Sequence, residues 1–230
     1  MYNRLITLGC SVTQHVGWAK SLADSMKISL INLAQSSGSN ALQQFRFQEL
    51  IFSDNITSND IIIWQVTGTE RSYLRKPANP AFLKQKKIEN KNTSHARAII
   101  HSTNIFDKKE RIDFLSHSNF SQRYNYGDIL DLEQNFEDLL FYIISAKKMT
   151  PNVFVVYGWR SVVSENYKSI FEEQLSKHNI KMFKEPIVDW CIKNKLKLLD
   201  DSHPKQEAYQ EYCNNYMYPQ LKEFLDIKKI

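Results

Sequence analysis

The chain contains three short apolar runs, separated by segments long enough to form helices. The runs are residues 5–8, 60–66 and 152–158, and the last two are rich in isoleucine and valine. A near-continuous apolar run is typical of a parallel strand covered on both faces, and β-branched residues favour strands. Strands that alternate with helices form a mostly parallel sheet. We therefore predict an α/β fold, a flavodoxin-like three-layer α/β/α sandwich.

Weaker patterns complete this order of elements. Apolar spacing typical of amphipathic helices covers residues 17–26, 39–52, 129–144, 167–177 and 186–193. Two shorter apolar stretches, residues 28–33 and 180–183, are predicted strands. A last helix opens at Pro204, and Pro219 is expected to bend or break it, because proline lacks the N–H that a helix interior needs.

Residues 72–127 interrupt the pattern. They contain Pro77, Pro80 and many lysines, asparagines and serines, with only short apolar stretches. A structureless loop of that length is improbable inside a compact domain. We predict one domain over residues 1–230, with residues 72–127 inserted as one or two short helices that form a lid over the active-site edge.

The positive charge is concentrated in this insertion. The formal net charge is +5, and residues 71–126 hold 12 Lys+Arg against 4 Asp+Glu, so the rest of the chain has a net charge of −3. A basic segment on a mildly acidic body predicts an anionic partner, and a solvated basic surface is the alternative interpretation. The segment has no clustered basic and aromatic repeats, which disfavours nucleic-acid binding.

The cysteines and the apolar runs indicate the compartment. Cys10, Cys191 and Cys213 are odd in number and widely spaced, which argues against a disulfide framework or a zinc site. No apolar run approaches the roughly 20 residues needed to span a bilayer. The first residues lead directly into a predicted strand, without the pattern of a signal peptide. We expect a cytoplasmic protein that needs no metal and no cofactor.

Two polar clusters fall where a catalytic site is expected. Ser11 follows Gly9 at the end of the first predicted strand, and in open α/β sheets the ligand crevice lies outside the carboxyl ends of the strands. Gly9 tolerates backbone angles that bulkier residues avoid. Asp200 and His203 stand just before the last helix. A serine, a histidine and a carboxylate are the parts of a hydrolytic triad, so we predict Ser11 as nucleophile, His203 as base and Asp200 as its orienting partner.

These blocks resemble those of the SGNH (GDSL-like) hydrolase superfamily. The run Gly-Cys-Ser-Val at residues 9–12 is similar to the Gly-Asp-Ser-Leu block of that family, whose serine is the nucleophile, and Asp200 and His203 match its Asp-x-x-His block. Gly38, in the loop after the second strand, matches the glycine whose backbone N–H contributes to the oxyanion hole. The resemblance implies that the N–H groups of Ser11 and Gly38 face the developing oxyanion.

The third block departs from the family pattern. The family has Gly-x-Asn-Asp and an oxyanion-hole asparagine, whereas Gly68, Thr69 and Glu70 follow the third strand here. Asn40 and Gln65 are close enough in sequence to this edge to supply an amide donor instead.

Thr69 could donate only a hydroxyl to an oxyanion. Together with Glu70 and Arg71, it is a candidate for substrate binding at the end of the third strand.

Each site residue also has a structural interpretation. Ser11 after a glycine is typical of a turn or helix cap, and Asp200 or Asp201 is placed to cap the last helix. Cys10, which replaces the family aspartate, is either an alternative nucleophile or a small buried thiol, and the serine beside it favours the second.

Three functions compete on these residues. The first is a serine hydrolase, an esterase or deacylase that acts on an ester of a carbohydrate or other small polar substrate, with an O-acyltransferase as its variant. The second is a catalytically weak or inactive SGNH-like binding or accessory protein for an anionic glycan or metabolite. A nucleotide-binding flavodoxin-like domain ranks last, because no glycine-rich phosphate fingerprint follows the first strand.

Overall fold

The computed structural model describes residues 2–14, 17–35, 40–53, 56–67, 73–75, 97–101, 114–116, 132–159, 165–200 and 203–225. For residues 73–75, 97–101, 114–116, 132–136 and 165–167 the description is of the backbone.

A five-stranded parallel sheet forms the centre of the fold. In chain order the strands of the structure are β1 Arg4–Leu8, β2 Ser29–Asn32, β3 Asp60–Val66, β4 Tyr73–Arg75, β5 Arg97–His101, β6 Phe114–Ser116, β7 Asn152–Tyr157 and β8 Lys181–Phe183. The main sheet has the order β2-β1-β3-β7-β8, and every neighbouring pair in it is parallel. The carboxyl ends of β1, β3 and β7 therefore lie side by side at one edge.

Helices connect these strands. They are α1 Ser11–Gln14, α2 Trp18–Met26, α3 Asn40–Ser53, α4 Leu132–Met149, α5 Glu165–Lys177, α6 Ile187–Lys193, α7 Gln206–Tyr212 and α8 Tyr218–Phe224. Outside residues 72–127 the predicted order of strands and helices is confirmed, with most ends within three residues of the predicted ones. The predicted α/β fold class is confirmed with it.

Two apolar clusters pack on the two faces of the sheet. One joins alternate residues of the strands, such as Ile61 and Ile63, to α2, α6 and the C-terminal helices. The other joins the intervening residues, such as Ile62 and Trp64, to α3, α4 and α5. All seven residues of β3 are buried. This two-sided burial explains why the central strands read as continuous apolar runs rather than as alternating ones.

The last helix is interrupted as Pro219 predicts. A π turn, Cys213–Met217, separates α7 from α8, and Pro219 stands in the first turn of α8. The backbone stays helical across this junction, because the Tyr218 N–H donates to the carbonyl of Cys213. In the part of the chain that the structure describes, no helix is both long and apolar enough to cross a membrane.

The described part of the insertion consists of strands. β4 pairs in parallel with β5, and β5 pairs antiparallel with β6, in a separate three-stranded sheet. The short helices predicted for residues 72–127 lie outside the described residues, and the lid stays a prediction.

Candidate active site

The first strand ends in a tight turn that carries Ser11. Strand β1 stops at Leu8, and α1 begins at Ser11. The carbonyl of Cys10 accepts hydrogen bonds from the N–H groups of Thr13 (3.0 Å) and Gln14 (2.9 Å), which closes the first turn of α1. Cys10 is fully buried, whereas the Ser11 residue is 8% exposed. The buried-thiol interpretation of Cys10 therefore fits its position, and the serine side chain is the one that reaches the crevice.

His203 stands on a short hairpin that precedes α7. Leu198 and Pro204 form an antiparallel bridge. The Leu199 N–H donates to the carbonyl of His203 over 2.7 Å, and the Lys205 N–H donates to the carbonyl of Lys197 over 3.1 Å. These bonds tie both ends of the turn together, so the backbone of His203 is held in place.

The structure brings Ser11 and His203 together. Ser11 Oγ lies 2.6 Å from His203 Nε2, although 192 positions separate the residues in the sequence. This distance is that of a strong hydrogen bond. The ring of Trp159, just after β7, meets the imidazole edge to face, with the centroids 6.0 Å apart and an interplanar angle of 84°. The predicted nucleophile and base are thus adjacent, and Trp159 forms one wall beside them.

Asp200 is placed differently from the other two predicted triad members. Its side chain is exposed, and it forms no hydrogen bond or ion pair with any residue that the structure describes. The carboxylate is therefore near His203 in sequence without a described contact to the imidazole. Asp201 and Ser202 lie outside the described residues.

Gln65 lies under the nucleophile turn rather than at its surface. Its side chain is fully buried. Oε1 accepts hydrogen bonds from the Cys10 N–H (3.0 Å) and from Thr13 Oγ1 (2.9 Å), and Nε2 donates to the carbonyl of Val66 (3.1 Å). Because the amide is engaged in these buried bonds, its position gives no support to the predicted oxyanion-hole role of Gln65.

Asn40 begins α3 and is bonded to the end of β3. Its Nδ2 donates to the carbonyl of Thr67 (2.9 Å), and its Oδ1 accepts from the N–H (2.9 Å) and the hydroxyl (3.1 Å) of the same residue. A primary amide has two hydrogens, and within the described ranges the second Nδ2 hydrogen of Asn40 has no acceptor. Asn40 thus keeps a donor that Gln65 does not offer, because Gln65 Nε2 also donates to Cys10 Sγ over 3.5 Å.

The other predicted site residues are not among those that the structure describes around Ser11 and His203. Gly38, Thr69, Glu70 and Arg71 all lie outside the described residues, so their roles stay predictions. Thr13 is a residue that the sequence did not single out. No sequence pattern marks this threonine, because its role depends on a hydrogen bond to Gln65, which is 52 positions away.

An open groove lies beside His203. It is lined by Leu199, His203, Pro204, Lys205, Gln206, Glu207 and Tyr209. The lining combines apolar side chains with the charged side chains of Lys205 and Glu207. A larger groove, at the β8 edge between α5 and α8, contains none of the predicted site residues.

Comparisons with known proteins find similarity in structure. No family profile matches the chain, and no curated protein matches its sequence. A psychrotrophic esterase from Pseudoalteromonas sp. is 14% identical, with a TM-score of 0.54 over 97% of this chain and 99% of that one. A lipolytic G-D-S-L family member from Veillonella parvula is 11% identical, with a TM-score of 0.52 over 97% of each chain.

A catalytic mutant of an acetylxylan esterase from Geobacillus stearothermophilus is also similar. It is 9% identical, with a TM-score of 0.54 over 99% of this chain and 97% of the esterase. Identities this low show the fold alone, and the fold covers nearly the whole chain. The protein therefore has the fold of the SGNH (GDSL-like) hydrolases.

Proposed function

We propose that the protein is a serine hydrolase, an esterase or deacylase that works through an acyl-serine intermediate on Ser11. The observation that carries this proposal is the 2.6 Å contact between Ser11 Oγ and His203 Nε2 at the carboxyl edge of the sheet. A neutral serine is a poor nucleophile until a nearby imidazole takes its proton. The fold supports the proposal, because the similar structures include proteins described as esterases.

The reaction proceeds in two halves. In the first, Nε2 of His203 takes the hydroxyl proton while Ser11 Oγ attacks the ester carbonyl, and the alcohol leaves with that proton as the acyl-serine forms. In the second, a water gives its proton to Nε2 and attacks the acyl-serine, which releases the acid and returns the proton to Ser11 Oγ. Neutral imidazole must carry its own proton on Nδ1, so that Nε2 is free to accept.

Three donors are proposed for the oxyanion. They are the backbone N–H groups of Ser11 and Gly38, and the second Nδ2 hydrogen of Asn40. Asn40 is 4% exposed and is held by Thr67, so its amide is preorganised, as transition-state stabilisation requires. In this proposal Asn40 replaces the asparagine that the third sequence block lacks.

Asp200 is proposed as the partner that orients His203. It stands three residues before the histidine, on the hairpin closed by Leu198 and Pro204. For this role its carboxylate must accept a hydrogen bond from Nδ1 of His203, where it would stabilise the imidazolium that forms during catalysis.

The proposed substrate is an ester of a carbohydrate or other small polar molecule. The open groove along His203 includes the charged side chains of Lys205 and Glu207, and one similar structure is described as an acetylxylan esterase. Thr69, Glu70 and Arg71 are proposed to contact the substrate, and the basic residues of 71–126 favour an anionic one. If a sugar hydroxyl replaces water in the second half-reaction, the same residues perform O-acyl transfer.

A binding or accessory protein for an anionic glycan or metabolite is the second candidate. One observation favours it: residues 68–70, directly after β3, include no asparagine, and the nearby amide of Gln65 is committed to buried hydrogen bonds. In that case the Ser11–His203 pair persists without efficient stabilisation of an oxyanion.

A fluorophosphonate probe and p-nitrophenyl acetate separate the two candidates. The hydrolase is expected to label and to turn over, and Ser11→Ala and His203→Ala are both expected to abolish each signal. Ser29→Ala, at an exposed serine at the start of β2, is the control for probe specificity and should label as the wild type does. A folded wild-type protein that neither labels nor turns over would contradict the hydrolase and favour the binding protein.

A further inference from the structure

We infer that Gln65 is a positioning residue, which fixes the turn carrying Ser11 and thereby the contact between Ser11 and His203. It does not touch the reacting atoms in this structure. As a role in catalysis the inference rests on the proposed function, but the positional effect on His203 can be measured without turnover.

Gln65 is the one polar side chain in the run Asp60–Val66 after its first residue, and it is fully buried. An amide removed from water without hydrogen bonds is strongly unfavourable. Both ends of this amide are used: Oε1 accepts from Cys10 and Thr13, and Nε2 donates to Val66. These hydrogen bonds offset the cost of burying a polar side chain in a central strand. Two of them join Gln65 to the turn that carries Ser11.

The bonds of Gln65 hold the residues on either side of Ser11. Cys10, immediately before the serine, donates its N–H to Oε1, and Thr13, two residues after it, donates its hydroxyl to the same atom. The carbonyl of Cys10 in turn accepts the N–H groups that begin α1. One acceptor thus fixes both the entry to the turn and the first helical turn, so the direction of Ser11 Oγ depends on it.

Two glycines leave the space that the amide occupies. A Cβ at Gly9 would clash with Gln65 Oε1 and lie 2.6 Å from Thr13 Oγ1, and a Cβ at Gly158 would lie 2.5 Å from Gln65 Nε2. Gly9 follows β1, and Gly158 follows β7. The amide of β3 is therefore enclosed by the ends of both neighbouring strands.

Gly158 connects the surroundings of Gln65 to those of His203, the proposed base. The next residue is Trp159, whose ring packs against the imidazole of His203. The Gln65 amide consequently bonds to the backbone that leads to the nucleophile and lies close to the backbone that leads to Trp159. A displaced amide is expected to change the distance between Ser11 Oγ and His203 Nε2.

The kinetic test compares matched variants. Gln65→Met keeps the length of the side chain and removes both hydrogen-bonding ends, and Thr13→Val removes one donor to Oε1. Misplacement of a catalytic group by about 1 Å costs about 10²-fold in rate, so we expect Gln65→Met to lower kcat by about 10- to 100-fold with KM nearly unchanged. Thr13→Val should show a smaller loss of the same kind, and Thr13→Ser should restore part of it.

Thr150→Val is the control for a purely structural effect. Its hydroxyl donates to the carbonyl of Asp60 over 2.7 Å, and it is as buried as Thr13, but it lies at the opposite edge of the sheet. We expect it to lower the free energy of unfolding without a change in kcat. Equal loss of kcat in Thr13→Val and Thr150→Val would overturn the inference.

The ¹⁵N resonances of His203, assigned by their loss in His203→Ala, provide a readout without substrate. The Nε2 resonance is expected to shift in Gln65→Met and Thr13→Val and to keep its wild-type position in Thr150→Val. If the wild type shows no turnover but the shift occurs, the hydrolase proposal fails and the positioning role stands. If Nε2 is unchanged in both variants, the positioning role fails whether or not the protein is an enzyme.

Discussion

The Asn40 side chain forms a reciprocal pair of hydrogen bonds with the backbone of Thr67, one to its carbonyl and one from its N–H, both over 2.9 Å. This pairing joins the first residue of α3 to the residue that follows β3. Gly38 and Thr69 stand close to these two positions in the sequence. The pair therefore links the two segments from which the proposed oxyanion hole and substrate contacts come.

Asn40→Ala is expected to lower kcat by about 10²–10³-fold if its free amide hydrogen stabilises the oxyanion. The comparison is Thr67→Val, which removes the 3.1 Å bond from the hydroxyl to Asn40 Oδ1 and leaves both backbone bonds intact. Thr67→Val should reduce stability with little change in kcat, measured on p-nitrophenyl acetate. A similar loss of kcat in the two variants would show that Asn40 acts by holding the loop.

The orienting acid can be tested by replacing the two adjacent aspartates separately. Asp200→Asn is expected to lower kcat strongly, since a neutral amide cannot stabilise the imidazolium. Asp201→Asn is the matched control, with the same change of charge one position along, and should retain most of the activity. The opposite ranking of the two kcat values would transfer the orienting role to Asp201.

The central sheet was predictable because its strands are recognisable from their own residues as apolar runs. Burial on both faces forces β3 and β7 to be apolar at almost every position, and such runs are visible without tertiary information. The Ser11–His203 pair was also predictable, because parallel strands bring their carboxyl ends to one edge and the two blocks flank that edge.

The role of Gln65 was not predictable, because it depends on contacts between distant positions. From the sequence, an amide at the end of β3 resembles a donor to the crevice. In the structure the side chain lies beneath the turn, where Cys10 and Thr13 donate hydrogen bonds to its oxygen. Gly9 shows the same limit: its φ is not positive, and the close approach of Gln65 and Thr13, rather than a special backbone angle, excludes a side chain there.

The buried thiols are expected to be unreactive in the folded protein. Burial raises the pKa of both Cys191 and Cys213 to about 12, so about one thiol in 10⁴ is ionised at pH 8, and the thiolate is the reactive form. Cys10 is excluded from solvent by its burial. Titration with a chromogenic disulfide reagent at pH 8 should detect almost no thiol in the native protein and three per chain in denaturant. Rapid reaction of a native thiol would contradict the packing around that residue.

The ion pair between Arg4 and Asp60 predicts how stability falls in acid. Arg4 Nη2 lies 2.7 Å from Asp60 Oδ2, and the Asp60 carboxylate is fully buried at the start of β3. Burial opposes ionisation, but the hydrogen bonds from Arg4 and from the Thr57 N–H outweigh it and hold the pKa of Asp60 below its ordinary value of 3.8. The folded state therefore favours the ionised carboxylate more than the unfolded chain does.

A lowered pKa in the folded state fixes the sign of the pH dependence. The stabilisation from Asp60 is fully present above the unfolded-state pKa and is lost as the pH falls from there through the lower folded-state pKa. Asp60→Asn should reduce the free energy of unfolding at pH 7 by about 1.5–3 kcal/mol, the range for hydrogen bonds to charged groups, and should flatten its decline below pH 4. Urea unfolding at a series of pH values measures both effects.

Glu173→Gln is the matched control for Asp60→Asn. The hydrogen bond from Lys177 also lowers the pKa of Glu173, but both side chains of this pair are more than half exposed. Exposed ion pairs contribute little to stability because water and salt screen them. The control should leave the unfolding free energy and its acid decline nearly unchanged. If Glu173→Gln and Asp60→Asn reduce the decline of the unfolding free energy in acid equally, the buried pair at the start of β3 does not set the acid sensitivity of the fold.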